Sequence, residues 1–251
     1  WPGPALNFCP RVSHWIWPVG RILTFLHIPE IMTAHKSQNW QYSADSSSAD
    51  TAIANAREVL NTEISGLEAL RDAVDDAFTQ AIERVHAMKA HKTGRLIVAG
   101  IGKSGHIANK VAATLASTGT PAFFVHPGEA SHGDMGMITE TDIVLMYSNS
   151  GENSELSDLI AYTRRFGITL ISITSNAQST LAQHSDIALI MPKVEEACPN
   201  GLAPTTSTTM MLAFGDCLAV VLLQRMGLTA EQYKLFHPGG KLGQRLASVA
   251  D

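Results

Sequence analysis

Two segments rich in glycine and serine carry residue types that could bind a phosphate. The first, GIGKSG at residues 100–105, lies between the apolar run RLIVA and the helical pattern HIANKVAATLAS. The second, SNSGENSE at residues 148–155, follows another apolar run and offers the hydroxyls of Ser148, Ser150 and Ser154. A glycine-rich turn between a strand and a helix presents free backbone N–H groups and the positive end of the helix dipole, and both attract anions. The two segments therefore predict an anion site.

The spacing within GIGKSG disfavours both nucleotide-binding motifs that it partly matches. A nucleoside triphosphate loop, G-x-x-x-x-G-K-[ST], needs a glycine five residues before Gly102, but Ile97 stands there. A dinucleotide site needs an acidic residue at the end of the second strand. That strand, PAFFVH, ends at His126, and the nearest acid is Glu129, beyond a Pro-Gly pair. A dinucleotide site is thus a weaker alternative, and a tight turn without a ligand is a second one.

A further polar turn supports a site for a phosphomonoester. The fourth apolar run ends in TSN at residues 174–176. The carboxyl ends of parallel strands share one edge of a sheet, and ligands bind at that edge. Hydroxyls and backbone N–H groups from successive turns can hold a phosphomonoester without a large positive charge.

Alternating helical and strand-like patterns define the elements that would position these turns. From Thr51 to about His91 the pattern is helical, and Gly66 is expected to mark a kink or break. Five strand-like runs follow, namely RLIVAG, PAFFVH, DIVLMYS, ITLISITS and DIALIMP. The helices that alternate with them are expected to end near Ser117 and to cover about 153–166, 178–183 and 205–226. This order predicts an α/β three-layer sandwich with a five-stranded parallel sheet flanked by helices, flavodoxin-like or Rossmann-like.

Composition narrows the function classes. The chain has 251 residues and a formal net charge of -5, without a basic block, so we expect no nucleic-acid partner. No apolar stretch is long and uninterrupted enough to predict a membrane span. The three cysteines, Cys9, Cys198 and Cys217, are scattered, which favours a reducing compartment and a cytoplasmic location.

The first 48 residues differ from the rest of the sequence. Residues 1–31 hold three of the four tryptophans and five of the eleven prolines, without a helical or strand period. Met32 opens a polar stretch, so we expect translation to start there and residues 1–48 to be poorly ordered or non-native. An ordered N-terminal extension is the alternative.

Four sequence blocks together resemble the sugar isomerase (SIS) domain of arabinose-5-phosphate isomerases. They are GIGKSGHIANKVAATLASTGTPAFFVHPGEASHGDMGMI, SNSGENSE, EEACPNGLAPTTSTT and FHPGGKLG, in the family's order. The resemblance covers roughly residues 50–247. It implies a SIS domain at 49–251, with N-terminal helices at 50–91, an α/β core at 94–226 and a C-terminal tail at 227–251. Relatives carry a pair of CBS domains after this region, and we expect none in this chain.

The resemblance implies an aldose–ketose isomerase acting on a small pentose phosphate. Such an enzyme interconverts D-ribulose 5-phosphate and D-arabinose 5-phosphate through an enediol, and supplies Kdo for lipopolysaccharide, or capsule, synthesis. The family implies a homotetramer whose sites are completed by neighbouring subunits. It implies no required cofactor, no nucleic acid and no membrane partner.

Four matching positions are implied to take part in catalysis: Lys103, Glu155, Glu196 and His237. One glutamate would move the proton between the two carbons, with a slight preference for Glu155. His237 would assist ring opening, because an imidazole can give and take a proton near neutral pH. Lys103 would neutralise the phosphate or the enediolate oxygen. Considered alone, Glu155 and His237 could be helix caps, Glu196 a solvated acid and Lys103 an exposed helix-start lysine.

The remaining predicted contacts come from the polar turns and from the resemblance. His126 could also bind zinc adventitiously through an imidazole nitrogen, although isomerisation needs no metal. Cys198 is expected to serve in packing. The predicted substrate contacts are Ser104, Gly119, Thr120, His126, His132, Ser148, Ser150, Ser154, Pro192, Lys193 and Val194.

Two other functions remain open at this point. One is a non-catalytic phosphosugar sensor, as in SIS-containing transcriptional regulators. The acidic N-terminal helical region, REVLNTEISGLEALRDAVDDAF, disfavours DNA contact. The other is a SIS isomerase for a different sugar phosphate, which the HPGEASHGD and EEACPNGLAPT blocks disfavour.

Overall fold

The computed structural model describes residues 49–229 together with residues 232, 233, 236 and 237. The expectations for residues 1–48 and for the rest of the tail lie outside these described residues. Two helices come first, and strands and helices alternate after them. In chain order the elements are α1 (Ala49–Ala73), α2 (Asp76–Ala90), β1 (Leu96–Gly100), α3 (Gly102–Ser117), β2 (Ala122–Val125), α4 (Pro127–Ser131), a 3₁₀ turn (Asp134–Met137), β3 (Ile143–Tyr147), a 3₁₀ turn (Ser154–Leu156), α5 (Ser157–Phe166), β4 (Thr169–Thr174), α6 (Thr180–His184), β5 (Ile187–Ile190) and α7 (Thr206–Met226).

The five strands form one parallel sheet in the order β2-β1-β3-β4-β5. From β1 the chain adds β2 on one side of the sheet. It then adds β3 on the other side of β1 and continues in that direction with β4 and β5. The winding direction therefore reverses between β1 and β3, and the crevice at the carboxyl ends of these two strands is where sheets of this kind bind ligands. The predicted α/β fold class is confirmed.

Both faces of the sheet are buried. Along β1, Leu96 and Val98 belong to one apolar cluster, which also includes residues of α1, α2, α3 and α7. Ile97 and Ala99 point to the opposite face, into a cluster that α4, α5 and α6 complete. The strands are therefore continuous apolar runs, as parallel sheets covered on two sides require.

The N-terminal helical region breaks at a different place from the expected one. Helix α1 continues through Gly66 and ends at Ala73, and Asp75 then caps α2 by accepting the N–H of Ala77 at 3.0 Å. Gly66 serves packing instead, because a Cβ on it would overlap the Thr206 side chain of α7. The absence of a side chain at Gly66 lets α1 approach α7 closely.

Contrary to the expectation from the sequence, one helix, α7, is long and apolar enough to cross a membrane by length and composition. Its apolar character has another explanation, since Met210, Phe214, Leu218 and Leu222 are buried in the cluster beneath the sheet. Half of its most apolar stretch is buried within the chain, which is typical of a core helix.

Candidate active site

The two predicted phosphate-binding turns lie side by side at the point where the winding direction reverses. Gly100, the last residue of β1, is in register with Tyr147, the last residue of β3. GIGKSG and SNSGENSE therefore leave adjacent strands at the same level. The TSN turn after β4 joins them, because the Ser175 N–H and the Thr174 hydroxyl both donate to the carbonyl of Asn149.

The GIGKSG turn brings α3 directly against the end of β1. A Cβ on Gly105 would lie 2.6 Å from the Gly100 carbonyl oxygen, so only glycine fits there. Gly102 has a φ of 57°, which is a left-handed conformation that glycine adopts without strain. Among the residues that the structure describes, no side chain caps the N-terminus of α3 at Ile101. The first-turn N–H groups of this helix are therefore available to an anion.

Hydroxyls within the SNSGENSE turn have different environments. Ser148 is 2% exposed; its Oγ donates to Asn153 Oδ1 at 2.7 Å and accepts the Gly151 N–H at 3.0 Å. Its hydroxyl is thus engaged in holding the turn. Ser150 and Ser154 are exposed on the carboxyl edge and are better placed to meet a ligand.

Lys103 and Glu155 supply opposite charges at the same edge of the sheet. Lys103 is exposed in the first turn of α3, and it forms no ion pair within the part of the chain that the structure describes. Glu155 lies in the 3₁₀ turn before α5, and its Oε2 accepts the Ser154 hydroxyl at 3.2 Å. Among the described residues this is its one side-chain hydrogen bond, so most of the carboxylate lone pairs have no protein donor.

Glu196 has a much more crowded environment than Glu155. Its Oε2 accepts the N–H groups of Thr205 and Ser207 at 2.7 and 3.2 Å and the Thr205 hydroxyl at 3.2 Å, and its Oε1 accepts the Ser207 hydroxyl. Partial burial alone would raise its pKa, but these hydrogen bonds outweigh burial and the pKa is lowered. Glu196 thus caps α7 from nine residues upstream.

The segments after β2 and β5 complete the carboxyl edge. His126 is exposed, and its Nδ1 accepts the Gly128 N–H at 3.2 Å, so its Nε2 is the nitrogen left for a ligand. His132 follows α4 and is also exposed. Residues 192–194 follow β5, one residue beyond its end. Within the residues that the structure covers, no three metal-ligating side chains cluster.

Three predicted site residues lie at the opposite, amino edge of the sheet. Gly119 and Thr120 precede β2. Phe236, the neighbour of His237, lines a cavity of about 320 Å³ together with Gly119. A strand of five residues spans about 16 Å, so His237 is separated from Lys103 of the same chain by roughly the height of the sheet. The structure does not bring these two groups of predicted residues together within one chain.

His237 is nevertheless held in a defined orientation. Its Nδ1 lies 3.0 Å from the Tyr233 carbonyl oxygen, and the two rings stack with their centroids 4.2 Å apart. A carbonyl can only accept, so Nδ1 carries the proton, and Nε2, which has no hydrogen-bond partner among the described residues, is the unprotonated nitrogen when the ring is neutral.

Sequence reasoning missed one residue that supports the site. The Glu152 carboxylate accepts the N–H and the hydroxyl of Thr180 at 2.7 and 2.8 Å, which connects the SNSGENSE turn to α6. These hydrogen bonds lower the pKa of Glu152. The pairing joins residues 28 positions apart, and no local pattern predicts it.

Comparison with known proteins agrees with this architecture. Residues 90–221, more than half of the chain, match the SIS domain family, and the chain belongs to that family. The arabinose 5-phosphate isomerase KdsD of Pseudomonas aeruginosa is 50% identical over 194 residues, which are 77% of this chain and 58% of that protein. KdsD of Yersinia pestis is 53% identical over 190 residues, which are 76% of this chain and 57% of that protein.

A solved structure, Escherichia coli CFT073 c3406 in complex with A5P, is similar over the whole of its own length. It is 37% identical, has a TM-score of 0.73, and the match covers 76% of this chain and 100% of that one. By contrast, the chain spans only 57% to 58% of the length of the two KdsD relatives.

Proposed function

We propose that this chain is an aldose–ketose isomerase that interconverts D-ribulose 5-phosphate and D-arabinose 5-phosphate. The observation that carries the proposal is the pair of adjacent turns at the carboxyl ends of β1 and β3, with Lys103 on one and Glu155 on the other. The identity of 50% to 53% with arabinose 5-phosphate isomerases supports the choice of sugar. The chain's similarity to the structure in complex with A5P supports it independently.

In this proposal the uncapped N-terminus of α3 and the serine-rich turn bind the phosphate. Backbone N–H groups of the first turn of α3 and the hydroxyls of Ser104, Ser150 and Ser154 would donate to its oxygens. Lys103 would balance the negative charge, either of the phosphate or of the enediolate.

Glu155 is the base in the proposed reaction, and Glu196 is a positioning residue. Glu155 takes the proton from C2 of the open-chain aldose, the C–H electron pair forms the C1–C2 double bond, and the C1=O π pair moves onto O1, which takes up a proton to give the enediol. The O2 hydroxyl then loses its proton as the C2 carbonyl forms, and Glu155 returns its proton to C1 to give the ketose. Glu155 has one neutral hydrogen-bond donor, whereas the four donors around Glu196 stabilise its charged form and lower its pKa, which disfavours Glu196 as the base.

The proposal also includes an assembly of several copies. His237, Gly119 and Thr120 lie at the amino edge, away from Lys103 and Glu155. A complete site would therefore combine the carboxyl edge of one chain with the amino edge of a second, and we propose a homotetramer in the cytoplasm that feeds Kdo synthesis. His237 Nε2 would then assist opening of the sugar ring.

Phosphorus NMR of the purified chain with D-ribulose 5-phosphate in deuterated buffer tests the function. We expect an arabinose 5-phosphate signal to appear without added metal, and deuterium to enter the sugar at C2. Saturable binding of the substrate without turnover would overturn the isomerase proposal and favour a phosphosugar sensor. Turnover of a different sugar phosphate under the same conditions would overturn the choice of pentose.

A further inference from the structure

A groove at the amino edge of the sheet carries two arginines that the proposed reaction does not use. The groove has a volume of about 320 Å³ and lies between α2, the end of α5 and the starts of β4 and β5. Its polar lining residues are Arg84, Arg164, Thr169 and Asp186.

A buried hydroxyl fixes the first arginine. Arg84 donates from Nε and Nη2 to Thr169 Oγ1, at 3.1 and 2.6 Å, and Thr169 is only 8% exposed. Across the described residues, Arg84 forms no ion pair with a carboxylate, and the Thr169 hydroxyl proton has no acceptor. Both groups therefore keep a free donor at the wall of the groove.

The single carboxylate of the groove is already engaged. Asp186 Oδ2 accepts the Leu170 N–H at 2.8 Å, and Oδ1 accepts Arg164 Nη1 at 3.2 Å. Arg164 retains Nε and Nη2 as further donors. Two guanidinium groups against one carboxylate leave the groove with a net positive charge.

We propose that this groove is a second anion site that takes inorganic phosphate or a phosphomonoester. Guanidinium groups bind phosphate through paired N–H donors, and a tetrahedral oxyanion can accept from both arginines and from the Thr169 hydroxyl at once. Ile168 and Ile187 provide an apolar wall beside it. Because β4 is six residues long, the groove lies about 20 Å from the carboxyl edge of the same chain.

Titration of the ¹⁵N-labelled full chain with inorganic phosphate, followed by amide NMR, tests the proposal. We expect two groups of saturating shifts, one at Gly102–Ser104 and one at Gly167–Thr169. Arg84→Gln should weaken the second by about tenfold or more, since a hydrogen bond to a charged group is lost, and should leave the first unchanged. Thr169→Val should act in the same direction without changing the charge.

Arg225→Gln is the matched control. Arg225 is about half exposed and pairs with Glu83, next to Arg84 on α2, so its loss should leave both groups of shifts intact. Two results would mean an adventitious ion only. In the first, the shifts at Gly167–Thr169 persist in Arg84→Gln and Thr169→Val. In the second, chloride at the same concentration produces the same shifts. The inference does not depend on isomerase activity, which Arg84→Gln should retain.

Discussion

At the scale of single residues, the two candidate glutamates differ in the number of hydrogen-bond donors around each carboxylate. Glu155 accepts one side-chain hydroxyl, whereas Glu196 accepts two backbone N–H groups and two hydroxyls. A carbon base must accept a proton during turnover, and each donor that Glu196 would lose on protonation opposes this. The difference gives the two residues different expected phenotypes.

We expect Glu155→Gln to lower kcat by at least about 10²-fold, because a positioned general base contributes that much or more. KM should change little, since the amide keeps the shape of the side chain. Steady-state kinetics with D-ribulose 5-phosphate, combined with loss of deuterium incorporation at C2, is the measurement. Glu140→Gln, an exposed glutamate at the amino edge, is the control. A Glu155→Gln variant that still exchanges deuterium at the wild-type rate would refute the assignment.

Glu196→Gln should instead act mainly on stability. An amide in place of the carboxylate loses hydrogen bonds at the start of α7, so we expect a loss of about 1–3 kcal/mol in the free energy of unfolding near pH 7. The folded-state pKa of Glu196 lies below its ordinary value of 4.5, so this stabilisation is present above that pH and declines as pH falls below it. The difference in the free energy of unfolding between wild type and Glu196→Gln, measured by urea unfolding, should therefore become smaller as the pH is lowered.

Glu195→Gln is the matched control for that measurement. Glu195 is the exposed neighbour of Glu196, and its removal should leave the free energy of unfolding within about 0.5 kcal/mol of wild type. Equal destabilisation at pH 4 and pH 7 would contradict the capping role.

The roles of Glu196 and Ser148 show what the sequence could not supply at this scale. The pattern SNSGENSE indicated a polar turn, but not that Ser148 would be engaged with Asn153 and Gly151. Glu196 resembles a solvated acid in sequence, and its partners are nine and eleven residues away, across a loop whose path depends on the whole fold. Residue types and order predicted which residues are candidates, and only packing distinguishes their environments.

At the scale of elements, the β1–α3 junction depends on the absence of a side chain at Gly105. Gly105→Ala would place a Cβ 2.6 Å from the Gly100 carbonyl, so the helix must move away from the strand. We expect KM for the sugar phosphate to rise by about tenfold or more, because the first turn of α3 would no longer face the phosphate correctly. Kinetics and a thermal melt together distinguish local displacement from unfolding.

Gly136→Ala controls for the general effect of replacing glycine. A Cβ there would meet no atom within 4 Å. Unchanged KM in Gly105→Ala would show that the junction tolerates the side chain and that phosphate binding does not rely on it.

Element type was more predictable than element boundaries. Continuous apolar runs that alternate with helical patterns predicted the five parallel strands, because strands that are apolar on both sides occur in sheets covered on both faces. The break between α1 and α2 was misplaced, since Gly66 looked like a breaker and the Asp75 cap was the true signal. Helix α4, five residues within a glycine- and histidine-rich segment, was too short to show a period.

At the scale of the whole molecule, the predicted site is divided between two edges of one sheet. Sequence order gave no sign of this division, because Gly119 and Lys103 belong to the same helix–strand unit but lie at its opposite ends. The division predicts that catalysis requires two chains. Glu155 and His237 of one site should therefore come from two different copies of the chain.

Mixing two inactive variants tests this division. Glu155→Gln and His237→Asn are each expected to be nearly inactive alone. In random mixed assemblies made by co-expression, each of the two chains at a site carries the intact residue in about half of the cases. If each site takes Glu155 from one chain and His237 from another, about one quarter of the sites should therefore be intact, with about one quarter of the wild-type activity. Mixing purified variants that do not exchange subunits is the control. No recovery in verified mixed assemblies would place the two residues in one chain's site.

The uncapped start of α3 has a consequence for the lifetime of the protein. Among the described residues no side chain caps the first N–H groups of this helix, so an anion bound at the turn adds hydrogen bonds that the free chain makes to water. Ligand at a hundredfold excess over its Kd adds about 2.7 kcal/mol to the folded state by mass action. Under the proposed function, resistance to proteolysis should therefore rise and fall with the concentration of the phosphosugar substrate.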